Sequence, residues 1–154
     1  MNRDQHRLMP ALQKIPIFKG LELEHIQRLL RVGHSRKYDI GEHIYIFGEP
    51  SLEMLVLLQG RLVVTSASGD ELSEITPGML VGESGVFTGQ PRSANVSAVV
   101  CSVAVAIGRE ALWLVLGSDQ TIHIKILENV VEILSERISA ANLHSESLHH
   151  RVTK

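Results

Sequence analysis

The feature that most constrains this chain is a change of hydrophobic period. From Ser35 to Ile107 the apolar residues come in short runs with a period near two, and glycine or another turn former closes each run. Side chains alternate between the faces of a strand, so this pattern describes short β-strands sharing a core. Ile40 to Pro50 reads as a strand flanked by turn signals, followed by strands at Met54 to Leu58 and at Leu62 to Thr65. Ser66-Ala67-Ser68-Gly69-Asp70 suits a hairpin tip, and Ile75-Thr76-Pro77-Gly78 a second turn. Val96 to Ile107, β-branched at alternating positions, reads as the last strand pair. Many short strands at even spacing predict a barrel or a double-sheet jelly roll.

Helical spacing takes over on both sides. Leu8 to Val32 reads as short amphipathic helices, with Ile26, Leu29 and Leu30 on one face. A long helical pattern runs from Asp119 to His144. Leu127, Val131, Leu134, Ile138 and Ala141 recur at alternating steps of four and three, Leu148 extends the series, and Ile122, Ile126, Val130 and Ile133 form a neighbouring stripe. Two stripes bury two surfaces, one against the β-region and one against a second subunit. Residues 1–145 are expected to form one domain and 146–154 a frayed polar tail, with no second domain after the long helix. The size, 154 residues, suits one domain, and 44% hydrophobic content with only 4% aromatic predicts a core of Val, Leu and Ile.

A net charge of −2 gives no pull toward nucleic acid or anionic membranes. No apolar run approaches the ~18 residues of a membrane span, and Pro10, Gln13 and Lys14 interrupt any signal-peptide core. With a single cysteine, Cys101, there is no internal disulfide, which fits a cytoplasmic protein. Cys101 itself reads as a small buried hydrophobe. Among the eight histidines, His144, His149 and His150 lack supporting carboxylates, so no metal is expected; His6, His25, His34, His43 and His123 read as solvated. Trp113 is expected to pack a helix joint. A metal-dependent enzyme on a barrel would need clustered His and Glu ligands, so no catalytic residue is assigned.

The chemistry concentrates in Val81-Gly82-Glu83-Ser84-Gly85 through Pro91-Arg92-Ser93-Ala94. Gly82 and Gly85 let backbone N–H groups converge on an anion. Arg92 offers a planar fork for a phosphate diester, and Glu83 an acceptor for a sugar hydroxyl. Together they describe a site for a monoanionic sugar phosphate with a free hydroxyl.

Gly82-Glu83, a short helix and then Arg92-Ser93-Ala94, with Pro91 before the arginine, resemble the phosphate-binding cassette of the cyclic nucleotide-binding domain family. That family includes bacterial catabolite activator proteins and protein kinase A regulatory subunits. Phe18-Lys19-Gly20, Tyr38-Asp39-Ile40-Gly41-Glu42 and Gln59-Gly60 extend the resemblance over roughly Ile15 to Leu143. It implies a mainly β fold, a β-roll or double-stranded jelly roll with flanking helices and a long C-terminal helix. It further implies Glu83 on the ribose 2′-hydroxyl, Arg92 on the phosphate, backbone around Gly82, Ser84 and Gly85 completing the cradle, and the Ser93 hydroxyl reaching the ligand. Cyclic AMP is the implied ligand, with cyclic GMP the variant, since modules preferring cyclic GMP often carry threonine at the position of Ser93. A base contact falls near Asn142. Homodimerisation through the long helix, an unidentified downstream protein and no direct DNA binding complete the expectation. Ser84 and Asn95 depart from the family pattern. The rival readings are a cyclic di-GMP or ligand-free interaction module, and the sensor part of a transcription regulator.

Overall fold

The structure, a computed structural model, describes residues 12–152. The expectations for Leu8 and His6, and for the last two residues of the tail, lie outside the described residues. A 3₁₀ turn at Pro16–Phe18 and helix α1 (Leu23–Arg31) lead into strands β1 (Gly33–Tyr38), β2 (His43–Tyr45), β3 (Glu53–Gln59), β4 (Leu62–Thr65), β5 (Glu71–Ile75) and β6 (Leu80–Val81). A short helix, α2 (Glu83–Thr88), interrupts the strands before β7 (Asn95–Ala98) and β8 (Ser102–Gly108). Helices α3 (Arg109–Ser118) and α4 (Gln120–Val152) follow. Two four-stranded antiparallel sheets, ordered β1-β8-β3-β6 and β2-β7-β4-β5, form the β-roll that the periodicity predicts.

β3 explains the unbroken apolar run from Met54. Leu55 and Leu57 face the space between the sheets with Leu62, Ile75 and Val96. Met54 and Val56 point the other way, into a second core with Phe18, Ile26, Leu112, Ile122 and Ile126. A strand covered on both faces has no polar side to show, so alternation disappears. Ala106 and Ala104 on β8 stand opposite Leu55 and Leu57, pairing small with large. The hairpin tip forms as read: the Ser66 N–H donates to the Asp70 carbonyl at 2.8 Å.

The inward stripe of α4 is Ile122, Ile126 and Val130, each at most 4% exposed. Such burial contributes about 1.5–3 kcal/mol per large aliphatic side chain. Asp119 caps the helix through the Thr121 N–H at 3.0 Å, and Arg28 of α1 pairs with it at 3.1 Å. Asn129, 3% exposed, donates from its amide to the carbonyls of Ile17 and Lys19 at 2.8 and 2.9 Å. The 3₁₀ turn is thereby fastened to the first half of α4.

Three expectations need correction. The frayed tail from residue 146 is helical through Val152, because nothing in Glu146 to Val152 breaks a helix already propagating. Cys101 is exposed, since the chain turns between β7 and β8 there and carries it out of the apolar run. His25 and His123 are half-buried, the His123 ring edge-on to Trp113 with centroids 5.6 Å apart. Among the described residues no helix is long and apolar enough to cross a membrane, and no cluster of three or more His, Cys, Asp or Glu could hold a metal.

Candidate functional site

Helix α2 is six residues long and lies between two left-handed glycines, Gly82 at φ +83° and Gly89 at φ +78°. Position 82 admits only glycine. A Cβ there would lie 2.6 Å from Arg92 Nη1 and 2.9 Å from the Tyr45 ring. Gly85 is equally constrained, because a Cβ would stand 1.9 Å from Ser51 Oγ. That hydroxyl donates to the Gln90 carbonyl at 2.7 Å and closes the segment between α2 and Arg92. The glycines predicted to shape a cradle are thus places where side chains press against the backbone.

Arg92 is 7% exposed. Its Nη1 donates to the Gly82 carbonyl at 3.2 Å and its Nη2 to the Glu53 carbonyl at 2.6 Å. The guanidinium carbon lies 3.5 Å from the centroid of the Tyr45 ring, a face-on cation–π stack. Arg92 backbone bonds, N–H to Glu49 and C=O from the Gly48 N–H, fix the chain on either side of it. The Tyr45 hydroxyl points to Glu53, with carbonyl and carboxylate oxygens both at 3.4 Å, and Arg36 stands 3.8 Å from the same carboxylate. Burial and the Glu53 charge hold the Tyr45 phenol far above its ordinary range, so the ring stays neutral.

Glu83 is 1% exposed. Its Oε1 accepts from Arg137 of α4, which also donates to the Leu80 carbonyl. Its Oε2 is buried and has no hydrogen-bond partner. Burial pushes the Glu83 carboxyl above the usual carboxylate range, opposed by Arg137, by its own backbone N–H and by Arg92.

Gly82, Glu83, Ser84, Gly85, Arg92 and Ser93 all line one cleft of about 330 Å³, whose far wall is Val64, Ser73 and Ile75 and whose roof is Leu134 and Arg137. Asn142 is not in it: the residue is exposed, eight positions beyond Leu134 and so about 12 Å further along the helix. Asn95 acts elsewhere, accepting from the Phe47 N–H at 2.7 Å and donating to the Ser66 carbonyl at 3.1 Å, which ties β7 to its neighbours. Trp113 fills the helix joint as expected: its indole N–H and Arg109 Nε both donate to the Val86 carbonyl of α2.

Sequence reasoning missed Tyr45, Ser51, Glu53 and Arg137. One of these had a signal. The inward stripe Ile122, Ile126, Val130, Ile133 continues to position 137, and a cation on a core-facing stripe must find a partner.

The cyclic nucleotide-binding domain family model matches residues 35–119. An uncharacterized NTE family protein of Mycobacterium tuberculosis is 25% identical over 126 residues, which are 82% of this chain but 22% of that protein. The chain therefore spans about a fifth of the length of this relative. The cAMP-dependent protein kinase regulatory subunit of Dictyostelium discoideum is 26% identical over 142 residues, covering 88% of this chain and 43% of that one. The Thermus thermophilus catabolite activator protein superposes with a TM-score of 0.73 at 25% identity, over 87% of this chain and 63% of that chain. The family match runs from within β1 to the end of α3 and takes in the whole Gly82–Ser93 segment, so this chain belongs to the cyclic nucleotide-binding domain family.

Proposed function

We propose that the chain is a cytoplasmic, non-catalytic sensor that binds cyclic AMP in the cleft beneath α4 and signals by moving that helix. The observation that carries this reading is Glu83 Oε2, a buried acceptor with no partner on the wall of the cleft. An unsatisfied buried polar atom costs about 1–3 kcal/mol, more when charged, and a ribose hydroxyl donating to it removes that cost. Arg92 lines the same cleft with three of its five N–H groups uncommitted to Gly82 and Glu53. They suit the exocyclic oxygens of a cyclic phosphate. Ser93 and the Val64, Ser73 and Ile75 wall are left for the base.

The output rests on Arg137. It bonds the carboxylate that the ligand would also use, so occupancy of the cleft and the position of α4 depend on one group. By linkage, whatever ligand does to the helix, the helix does to ligand affinity in equal measure. The exposed stripe of α4 supports a homodimer, whose geometry a downstream protein would read.

Calorimetric titration with cyclic AMP, cyclic GMP and cyclic di-GMP, on wild type beside Arg92→Ala and Glu83→Ala, tests the site. Each charge-assisted bond is worth about 1.5–3 kcal/mol, so each variant is expected to lose one to two orders of magnitude in affinity for cyclic AMP. Wild type should bind 2′-deoxy cyclic AMP as weakly as Glu83→Ala binds cyclic AMP. Undiminished binding by both variants would show that the cradle is misplaced.

A further inference from the structure

We infer that Tyr45 is the positioning residue of the cradle: its ring face fixes the plane of Arg92, so that the guanidinium meets the ligand's phosphate already oriented. This assignment rests on the cradle reading above and extends it to Tyr45, which also lines the cleft and is assigned to act through Arg92.

Three observations lead there. The Arg92 guanidinium carbon is 3.5 Å from the Tyr45 centroid, at van der Waals contact, so the ring face lies against the cation. Two carbonyls, of Gly82 and Glu53, bond it in that plane and leave the remaining N–H groups for the cleft. Tyr45 is itself buried, only 6% exposed, and Gly82, by lacking a Cβ, lets ring and guanidinium close together.

A long arginine side chain loses much rotamer freedom when it grips an anion, and a receptor ordered in advance has already lost it. Tyr45 supplies that order without placing an anion beside Arg92 to compete with phosphate. The hydroxyl matters less than the ring, since its contacts to Glu53 are long at 3.4 Å.

The test uses the full chain, cyclic AMP as probe, and Tyr45→Leu, Tyr45→Phe, Arg92→Ala and Tyr45→Leu/Arg92→Ala. A desolvated cation–π contact of about 2 kcal/mol corresponds to roughly thirtyfold in affinity. Tyr45→Leu is expected to lose about that much, Tyr45→Phe to recover most of it, and the double variant to bind no worse than Arg92→Ala. Without ligand, the Arg92 Nη protons should give separate, ring-shifted NMR signals in wild type and Tyr45→Phe, and averaged signals in Tyr45→Leu. Additive losses in the double variant, or unchanged Arg92 signals in Tyr45→Leu, overturn the assignment while sparing the cradle. If Arg92→Ala binds as wild type does, or if wild type binds no cyclic AMP, the cradle reading fails and the assignment goes with it.

Discussion

Glu83 carries opposing demands. In its proposed role as a ligand acceptor it works best ionised, yet it is 1% exposed and burial raises its pKa above the 4.5 of a free side chain despite the nearby Arg137. A raised folded pKa means the folded state binds the proton more tightly than the unfolded state. The group's contribution to stability is then fully present below about pH 4.5 and is lost as the pH climbs through the raised value. Glu83→Gln removes the titration. The stability of the ligand-free variant relative to wild type should therefore increase with pH across that window and level off above it. Urea denaturation of both proteins at steps from about pH 4 to about pH 8 measures this. If wild type instead gains on the variant as pH rises, the pairing with Arg137 outweighs burial. Glu83 and Arg92 were legible from sequence because their chemistry is local, held on one segment at family spacing. Their partners were not. Tyr45 reaches Arg92, and Arg137 reaches Glu83, only once strands and helices from distant parts of the chain are packed.

At the scale of elements, the β-region was readable because alternation and glycine-bounded runs follow directly from strand geometry. The end of α4 was not, since a polar helical segment and a polar frayed one have the same composition. What matters for the proposed signalling is that α4 is fastened unevenly. Its first half is buried through Ile122, Ile126 and Val130 and bonded by Asn129 to the turn at Pro16–Phe18. Past Val130 the contact with the rest of the domain thins to half-buried Ile133 and Leu134, to an exposed ion pair between Glu132 and Lys19 at 3.2 Å, and to Arg137 on the cassette. A ligand acting at Glu83 should therefore move the helix beyond Val130 while its first half stays in place. Amide hydrogen exchange with and without cyclic AMP tests this. Protection is expected to change in residues 131–140 and to stay nearly constant in residues 120–130. A uniform change along α4 would mean that the helix moves as one rod and that Asn129 does not act as the fixed end.

For the whole molecule, the two stripes read from sequence have separate fates. The inward one is consumed by the domain. The other leaves Leu127 37%, Val131 63%, Ile138 62% and Leu148 48% exposed, in the four-three rhythm that lets helices pair. Leu134 belongs to this stripe and also lines the cleft, so the surface offered to a second subunit and the roof of the site share one turn of helix. A dimer formed along the stripe would hold the roof in place, and ligand that shifts the roof would alter the pairing, which gives the proposed sensor a way to pass on its signal. Ile138→Glu places a charge on the exposed stripe without disturbing buried contacts, so the folded domain should survive it. Sedimentation equilibrium is expected to show a dimer for wild type and a monomer for the variant, with unchanged circular dichroism. Cyclic AMP affinity should differ between the two if roof and seam are coupled as argued. A wild type that stays monomeric at high concentration would remove the seam from the proposed output.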